Sequence, residues 1–215
     1  MILADKQLKD IAAKFNGGAG LQYGRLNAAS IDLTLADEAV IYRWPWYLRA
    51  AFWAASQVVK LGELDTYVRA SGVAHIKTMV ALATLSTLRE SVGKRFGPRG
   101  FKVDLTYGRW LMPGEMALVA SQDYTYIPND AGALLTLKSS SGRAGALQAF
   151  TGYFDPGYHG QANFPVHAGQ RPVWLESGDR FAQLVFINSN VPDKPYGSTG
   201  DSHYQGTTGI AQVPV

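Results

Sequence analysis

From Phe101 onward the chain predicts a mainly β fold, a compact antiparallel sandwich or barrel, preceded by one N-terminal helix and a helical stretch at about residues 45–95. Three observations carry this. Apolar or alternating runs recur at residues 116–119, 133–135, 144–150, 173–175 and 181–187. Turn signals separate them: Pro113-Gly114, Pro128-Asn129-Asp130, Asp155-Pro156-Gly157 and Ser177-Gly178-Asp179. The segment 44–95 differs in character, being rich in Ala, Leu and Met.

Taken in order, Leu8, Ile11 and Ala12 fall at helical spacing within residues 5–14, with Phe15 just beyond. Asp5 is placed to cap this helix and Gly17-Gly18 to stop it. Ser30-Ile31-Asp32-Leu33-Thr34-Leu35 alternates and reads as a strand. Pro45 suits a first helical turn, and residues 46–61 then meet no breaker until Gly62. A second helical run covers 73–90. Trp44, Trp46, Phe52 and Trp53 either pack under these helices or form a lid or partner-binding face. After Asn188 the chain turns polar and rich in Gly and Pro, and residues 189–215 read as a C-terminal arm or a flexible tail.

A length of 215 residues suits one domain over 1–215, with the helical stretch inserted in it. Hydrophobic residues at 47% and charged ones at 17% predict a globular chain rather than disorder. A net charge of +3 suits a small phosphate-bearing ligand and is too slight and scattered for nucleic acid. The absence of cysteine excludes disulfides, thiol nucleophiles and a Cys-x-x-Cys zinc deaminase site. The start Met1-Ile2-Leu3-Ala4-Asp5-Lys6 has no basic segment followed by an apolar run, and no apolar stretch approaches a membrane span. The expectation is a cytoplasmic protein with no membrane partner.

Four segments carry chemistry. Lys138, Ser139, Ser140 and Arg143 lie within one short run, and a turn there would direct backbone N–H groups, hydroxyls and a guanidinium at one anion. A solvated serine turn is the bland alternative. In Asp155-Pro156-Gly157-Tyr158 a rigid bend fixes a carboxylate beside an aromatic ring. The pair can hold a sugar and orient water, or can be an ordinary β-turn with a packed tyrosine. Arg180-Phe181-Ala182-Gln183 follows. Last comes Pro195-Tyr196-Gly197-Ser198-Thr199-Gly200 with His203-Tyr204-Gln205-Gly206, a glycine-rich tail able to close over a bound molecule.

In this order the segments resemble the dCTP deaminase and dUTPase superfamily over residues 1 to about 206, closer to the deaminase branch. Met1-Ile2-Leu3-Ala4-Asp5 with its helix looks like the deaminase N-terminus, and Ala29-Ser30-Ile31-Asp32-Leu33 is similar to its first strand. Pro113-Gly114-Glu115 and Tyr126-Ile127-Pro128 resemble its middle strands. The resemblance implies a distorted jelly roll assembled as a homotrimer, with sites between subunits. It implies Arg143, Ser139 and Asp155 as catalytic residues. It implies Lys138, Ser140, Tyr158, Gln183, Tyr196 and His203 as ligands of a deoxynucleoside triphosphate. Mg2+ would ride on the phosphates, with no metal ligand from the protein. Residues 44–95 fall outside the match and read as an insertion.

The chain departs from the deaminase pattern at one decisive position. The family's general acid/base is a glutamate ten residues after the aspartate of the Asp-Pro-Gly bend; here that position is Pro165. The tail lysine appears as His203 and the following glutamine as Thr207, changes expected to weaken phosphate binding. Three functions therefore stay open: the family's dCTP deamination with Asp155 or His167 substituting, dUTPase-like pyrophosphohydrolysis through Asp155, and a non-catalytic nucleotide- or partner-binding trimer.

Overall fold

The computed structural model describes residues 1–43, 99–148, 152–198, 200 and 202–211. The helices expected within 44–95, with Trp44, Trp46, Phe52 and Trp53, lie outside the described residues. The chain divides into two units, residues 1–41 with 101–215, and residues 42–100. The first carries every segment singled out for chemistry.

Two short helices, α1 (Lys6–Ala12) and α2 (Phe15–Gly18), lead into β1 (Arg25–Leu26) and the long β2 (Ile31–Arg43). Then follow β3 (Arg99–Asp104), β4 (Arg109–Leu111), β5 (Met116–Tyr126), β6 (Ala131–Leu137) and a helical turn, α3 (Ser139–Arg143). The remaining strands are β7 (Ala146–Leu147), β8 (Gly152–Phe154), β9 (His159–Ala168), β10 (Val173–Leu175) and β11 (Arg180–Asn188). The main sheet runs β7-β9-β5-β2-β11-β6-β8, with β1 and β3 also paired to β2, and β4 and β10 form a separate ribbon. The sheet curls into an antiparallel half-barrel, so the expected mainly β fold is present. Its interior holds Phe15, Ile31, Leu33, Leu35, Ile127, Leu135, Leu175 and Phe186, all fully buried.

Several elements differ from the sequence reading for identifiable reasons. Asp5 precedes α1, but its side chain makes no capping bond; its backbone has φ 46°, and its N–H donates to the Ala28 carbonyl at 3.0 Å. Of the strand expected at 144–150, Ala144 caps α3 and Ala146–Leu147 form β7, while residues 149–150 lie outside the described residues. Gln148 then uses its side-chain amide in place of a ladder, accepting from Leu137 N–H and donating to the Leu135 carbonyl, both at 3.0 Å. Strand β9 was not foreseen. Its inward residues Ala162, Phe164, Val166 and Ala168 are buried and alternate with partly exposed Gln161, Asn163, Pro165 and His167. Pro165 lacks an N–H yet fits, because it opposes Leu118 on β5 while β7 reaches only His167 and Ala168.

The N-terminal segment is tied to β5 by a buried carboxylate. Asp123 accepts from the side-chain amide of Asn16 at 2.6 Å and from the backbone N–H groups of Gln22 at 2.9 Å, Tyr23 at 3.2 Å and Gly24 at 2.6 Å. Asn16 in turn accepts from the Tyr124 N–H at 2.8 Å. Charge-assisted bonds of this kind contribute about 1.5–3 kcal/mol each, and their orphaned donors cost more when buried. Asp123→Ala is therefore expected to lower unfolding free energy by about 3 kcal/mol or more, read as a fall in denaturant midpoint at unchanged m-value. A loss below about 1 kcal/mol would show that the clamp contributes little.

Candidate functional site

The outward residues of β9 form one wall of a cavity of about 550 Å³. Asn163 and Pro165 face it, joined by Leu118 of β5, by the segment Gly152, Tyr153, Phe154, Asp155 and Tyr158, and by Tyr196, Tyr204, Thr207 and Ala211 from the arm. Asp155 is the one carboxylate in this lining. It is exposed, and among the described residues its side chain accepts no hydrogen bond and joins no ion pair. A second cavity of about 310 Å³ shares Asp155 and Tyr196 and is otherwise lined by polar and proline residues, including Ser189, Lys194 and Ser202.

Tyr158 is a rigid wall rather than a mobile ring. It is buried, it packs against Phe154 at 4.9 Å and Tyr196 at 5.7 Å between ring centroids, and its hydroxyl donates to the Gln161 carbonyl at 3.0 Å. Burial, with smaller contributions from Tyr196 and Tyr124, pushes its hydroxyl above the usual phenol range, so that it stays a donor. The Asp155 bend is fixed by the Tyr158 N–H donating to the Asp155 carbonyl at 3.1 Å and by Gly157 at φ 91°, a conformation that glycine adopts without strain.

Neither cavity includes the segment 138–143 in its lining. Ser141 points inward, donating to the Phe181 carbonyl at 2.9 Å, which anchors α3 on β11. Ser139, Ser140 and Arg143 are thereby left exposed, and their side chains have no partner among the described residues. Lys138 is different. Its ammonium pairs with the fully buried carboxylate of Asp32. Asp32 also accepts from the Asn27 amide at 2.8 Å and has the Arg180 guanidinium 3.8 Å away. The register sets Asp32, Gln183 and Thr136 side by side across β2, β11 and β6, which brings Lys138 over Asp32. Gln183 is partly buried and accepts from the Ser30 hydroxyl at 3.2 Å. The predicted residues thus divide: Asp155, Tyr158 and Tyr196 line the cavity, whereas Lys138, Ser139, Ser140, Arg143 and Gln183 do not. His203 is exposed and lines neither cavity.

Residues 206–211 of the arm lie along β9. Gly206 N–H donates to the His159 carbonyl at 2.9 Å and Gln161 N–H to the Thr207 carbonyl at 2.8 Å. Asn163 donates to the Gly209 carbonyl at 3.1 Å and accepts from Ala211 N–H at 3.0 Å. Gln161, Asn163, Tyr204 and Thr207 were not among the predicted site residues. The alternation of amides at Gln161 and Asn163, two apart and facing one side of β9, was the available signal.

Residues 89–189 match the model of a family described as dCTP deaminase-like. The dUMP-forming dCTP deaminase of Methanothermobacter thermautotrophicus is 39% identical over 100 residues, 45% of this chain and 51% of that protein. The dCTP deaminase of Haloarcula marismortui is 39% identical over 102 residues, 46% of this chain and 52% of that one. The chain spans about half the length of the curated relatives it matches. In fold it is similar to the 2'-deoxycytidine 5'-triphosphate deaminase of Agrobacterium tumefaciens, with a TM-score of 0.55 at 21% identity over 87% of this chain and 48% of the other.

Asn163→Ala removes two of the bonds that seat the arm while leaving the core strand intact. It is expected to make residues near 207–211 sensitive to limited proteolysis at a stability cost of no more than about 2 kcal/mol. Unchanged resistance would show that backbone contacts alone seat the arm.

Proposed function

We propose that this chain, a relative of the dCTP deaminases and dUTPases, hydrolyses a deoxypyrimidine nucleoside triphosphate to the monophosphate and pyrophosphate. The observation that carries the reading is the acid–base content of the cavity. Asp155 is its sole carboxylate and is unpartnered among the described residues, while Pro165 occupies the wall position at which the deaminase pattern has a proton-shuttling glutamate. Deamination requires proton transfers at the base, for which this wall offers an amide and a proline. Hydrolysis of the triphosphate requires only an oriented water and stabilised phosphate charge. A relative is named as dUMP-forming. The present chain would retain the half of that chemistry that releases pyrophosphate.

In this reading the pentose rests against Tyr158, and Asp155 accepts a hydrogen bond from the attacking water. The water oxygen bonds to the α-phosphorus as the bond to the bridging oxygen breaks; pyrophosphate leaves with the electron pair, and the water's proton passes by way of Asp155 to solvent. Ser139, Ser140 and Arg143 of a neighbouring subunit hold the phosphates, Arg143 by bidentate bonds. The exposure of these side chains and their separation from the Asp155 cavity support a site shared within a homotrimer. Lys138 acts at a distance, its ammonium already paired with Asp32, and helps to place α3. Tyr196, Gln183 and His203 lie toward the phosphates. Mg2+ would bind through the phosphates and neutralise their charge.

Two variants test this together. With dUTP or dCTP and magnesium, Asp155→Asn should lower kcat by about 10²–10⁴-fold with KM little changed. Arg143→Ala should abolish turnover. Mixed trimers of the two variants should recover a fraction of the activity, because some sites then combine an intact Asp155 with an intact Arg143. A fully active Asp155→Asn protein would remove the mechanism, and active parent protein without recovery in mixed trimers would remove the shared site.

A further inference from the structure

The seating of the arm turns on one side-chain amide whose orientation is dictated by its surroundings. Gln205 Oε1 accepts from the His159 backbone N–H at 3.1 Å, and Gln205 Nε2 donates to the Gly157 carbonyl at 3.0 Å. Nε2 also lies 2.7 Å from Nδ1 of the His159 ring. Rotating the amide by half a turn would set its NH2 against a backbone N–H and its oxygen against a backbone carbonyl, losing both bonds. The amide therefore presents an N–H to the imidazole, and Nδ1 must accept. Gly197 packs against the same amide: a Cβ there would lie 2.4 Å from Gln205 Nε2, so the carboxamide is confined. From this contact the arm continues to Gly206, bonded to the His159 carbonyl, and to Tyr204 and Thr207 over the cavity.

We infer that His159 and Gln205 form a proton-sensitive latch, which seats the arm over the Asp155 cavity when the imidazole is neutral and releases it when the imidazole is protonated. Protonation turns Nδ1 from acceptor to donor and brings N–H against N–H. The groups around His159 do not offset this change. On β5, Tyr124 faces it with ring centroids 6.1 Å apart, and Tyr126 pairs with it across the strands. Burial raises the Tyr124 hydroxyl above its ordinary range, so it remains neutral. The arm contributes Gln205 and the adjacent Tyr204. Among the described residues no carboxylate pairs with His159. The sign follows: the seated arm takes the proton-free ring, so closure is favoured at higher pH and lost at the lower pH at which the ring takes up a proton.

Amide hydrogen exchange reads arm seating without nucleotide, so its failure and that of the hydrolytic reading are distinguishable. Exchange at Gly206, Gly209 and Ala211 is measured at about pH 7.5 and about pH 5, corrected for the intrinsic pH dependence. Protection in the parent protein should fall by roughly tenfold at the lower pH. His159→Asn keeps an acceptor that cannot be protonated and should remove the pH dependence. Gln205→Glu gives up the bond to the Gly157 carbonyl and should lower protection overall, but its pH dependence should be reversed, since a carboxylate prefers the charged ring. His203→Asn should behave like the parent. Parent protection that ignores pH, a parent-like fall in His159→Asn, or a flat response in His203→Asn would overturn the assignment.

Discussion

The alternation of side chains along β9, held in register by β5, is the constraint on which the rest depends. Because Ala162, Phe164, Val166 and Ala168 must face the core, Gln161, Asn163 and Pro165 must face the other side. That side is the wall of the larger cavity and also the surface on which the arm lies. The chemistry of the cavity is thus set by which residues a period of two leaves outward. The wall contains the Asn163 amide and a proline, and that amide is committed to the backbone of the arm. A shift of one residue would bury Gln161 and Asn163 and expose Phe164, which the packing of Phe164 and Val166 forbids.

Electrostatics divides the charged residues of the proposed site into fixed and free. Asp32 is fully buried and holds the Lys138 ammonium, with Arg180 nearby; a buried carboxylate left without such partners would be strongly destabilising. This pair links β2 to the start of α3, and Ser141 links α3 to β11. The helical turn is thereby anchored at two points, and Arg143 projects from a rigid base. Asp155 stands free at the junction of the two cavities, on a bend whose backbone is fixed by Gly157 and Tyr158. Pre-organised groups of opposite role, with α3 outside the lining of the Asp155 cavity, suit a site completed between copies.

Much of the fold was legible because β2, β5, β6, β10 and β11 are apolar or alternating runs bounded by glycine and proline turns. β9 escaped because Pro165 interrupts a run whose apolar members are half alanine, so its period of two is weak. Within the strand expected at 144–150, Ala146–Leu147 form β7 and Gln148 bonds to β6 through its side-chain amide, a contact no hydrophobic pattern announces. Within the candidate site, Asp155 and Tyr158 announce themselves through the Asp-Pro-Gly bend. The partner of Lys138 was hidden because Asp32 lies 106 residues away and meets it only through the sheet register. The seating of the arm was hidden for a related reason: amide-to-backbone bonds carry no hydrophobic pattern, and Gln205 reads like any surface glutamine until Gly157 and His159 are placed beside it.

The most direct measurement is a crystal structure of the protein with magnesium and an α,β-imido deoxypyrimidine triphosphate. The expected result has the pentose against Tyr158 and Asp155 of one subunit, and the phosphates on Ser139, Ser140 and Arg143 of the next. A nucleotide whose phosphates stay within one protomer, or one bound away from Asp155, would contradict the account.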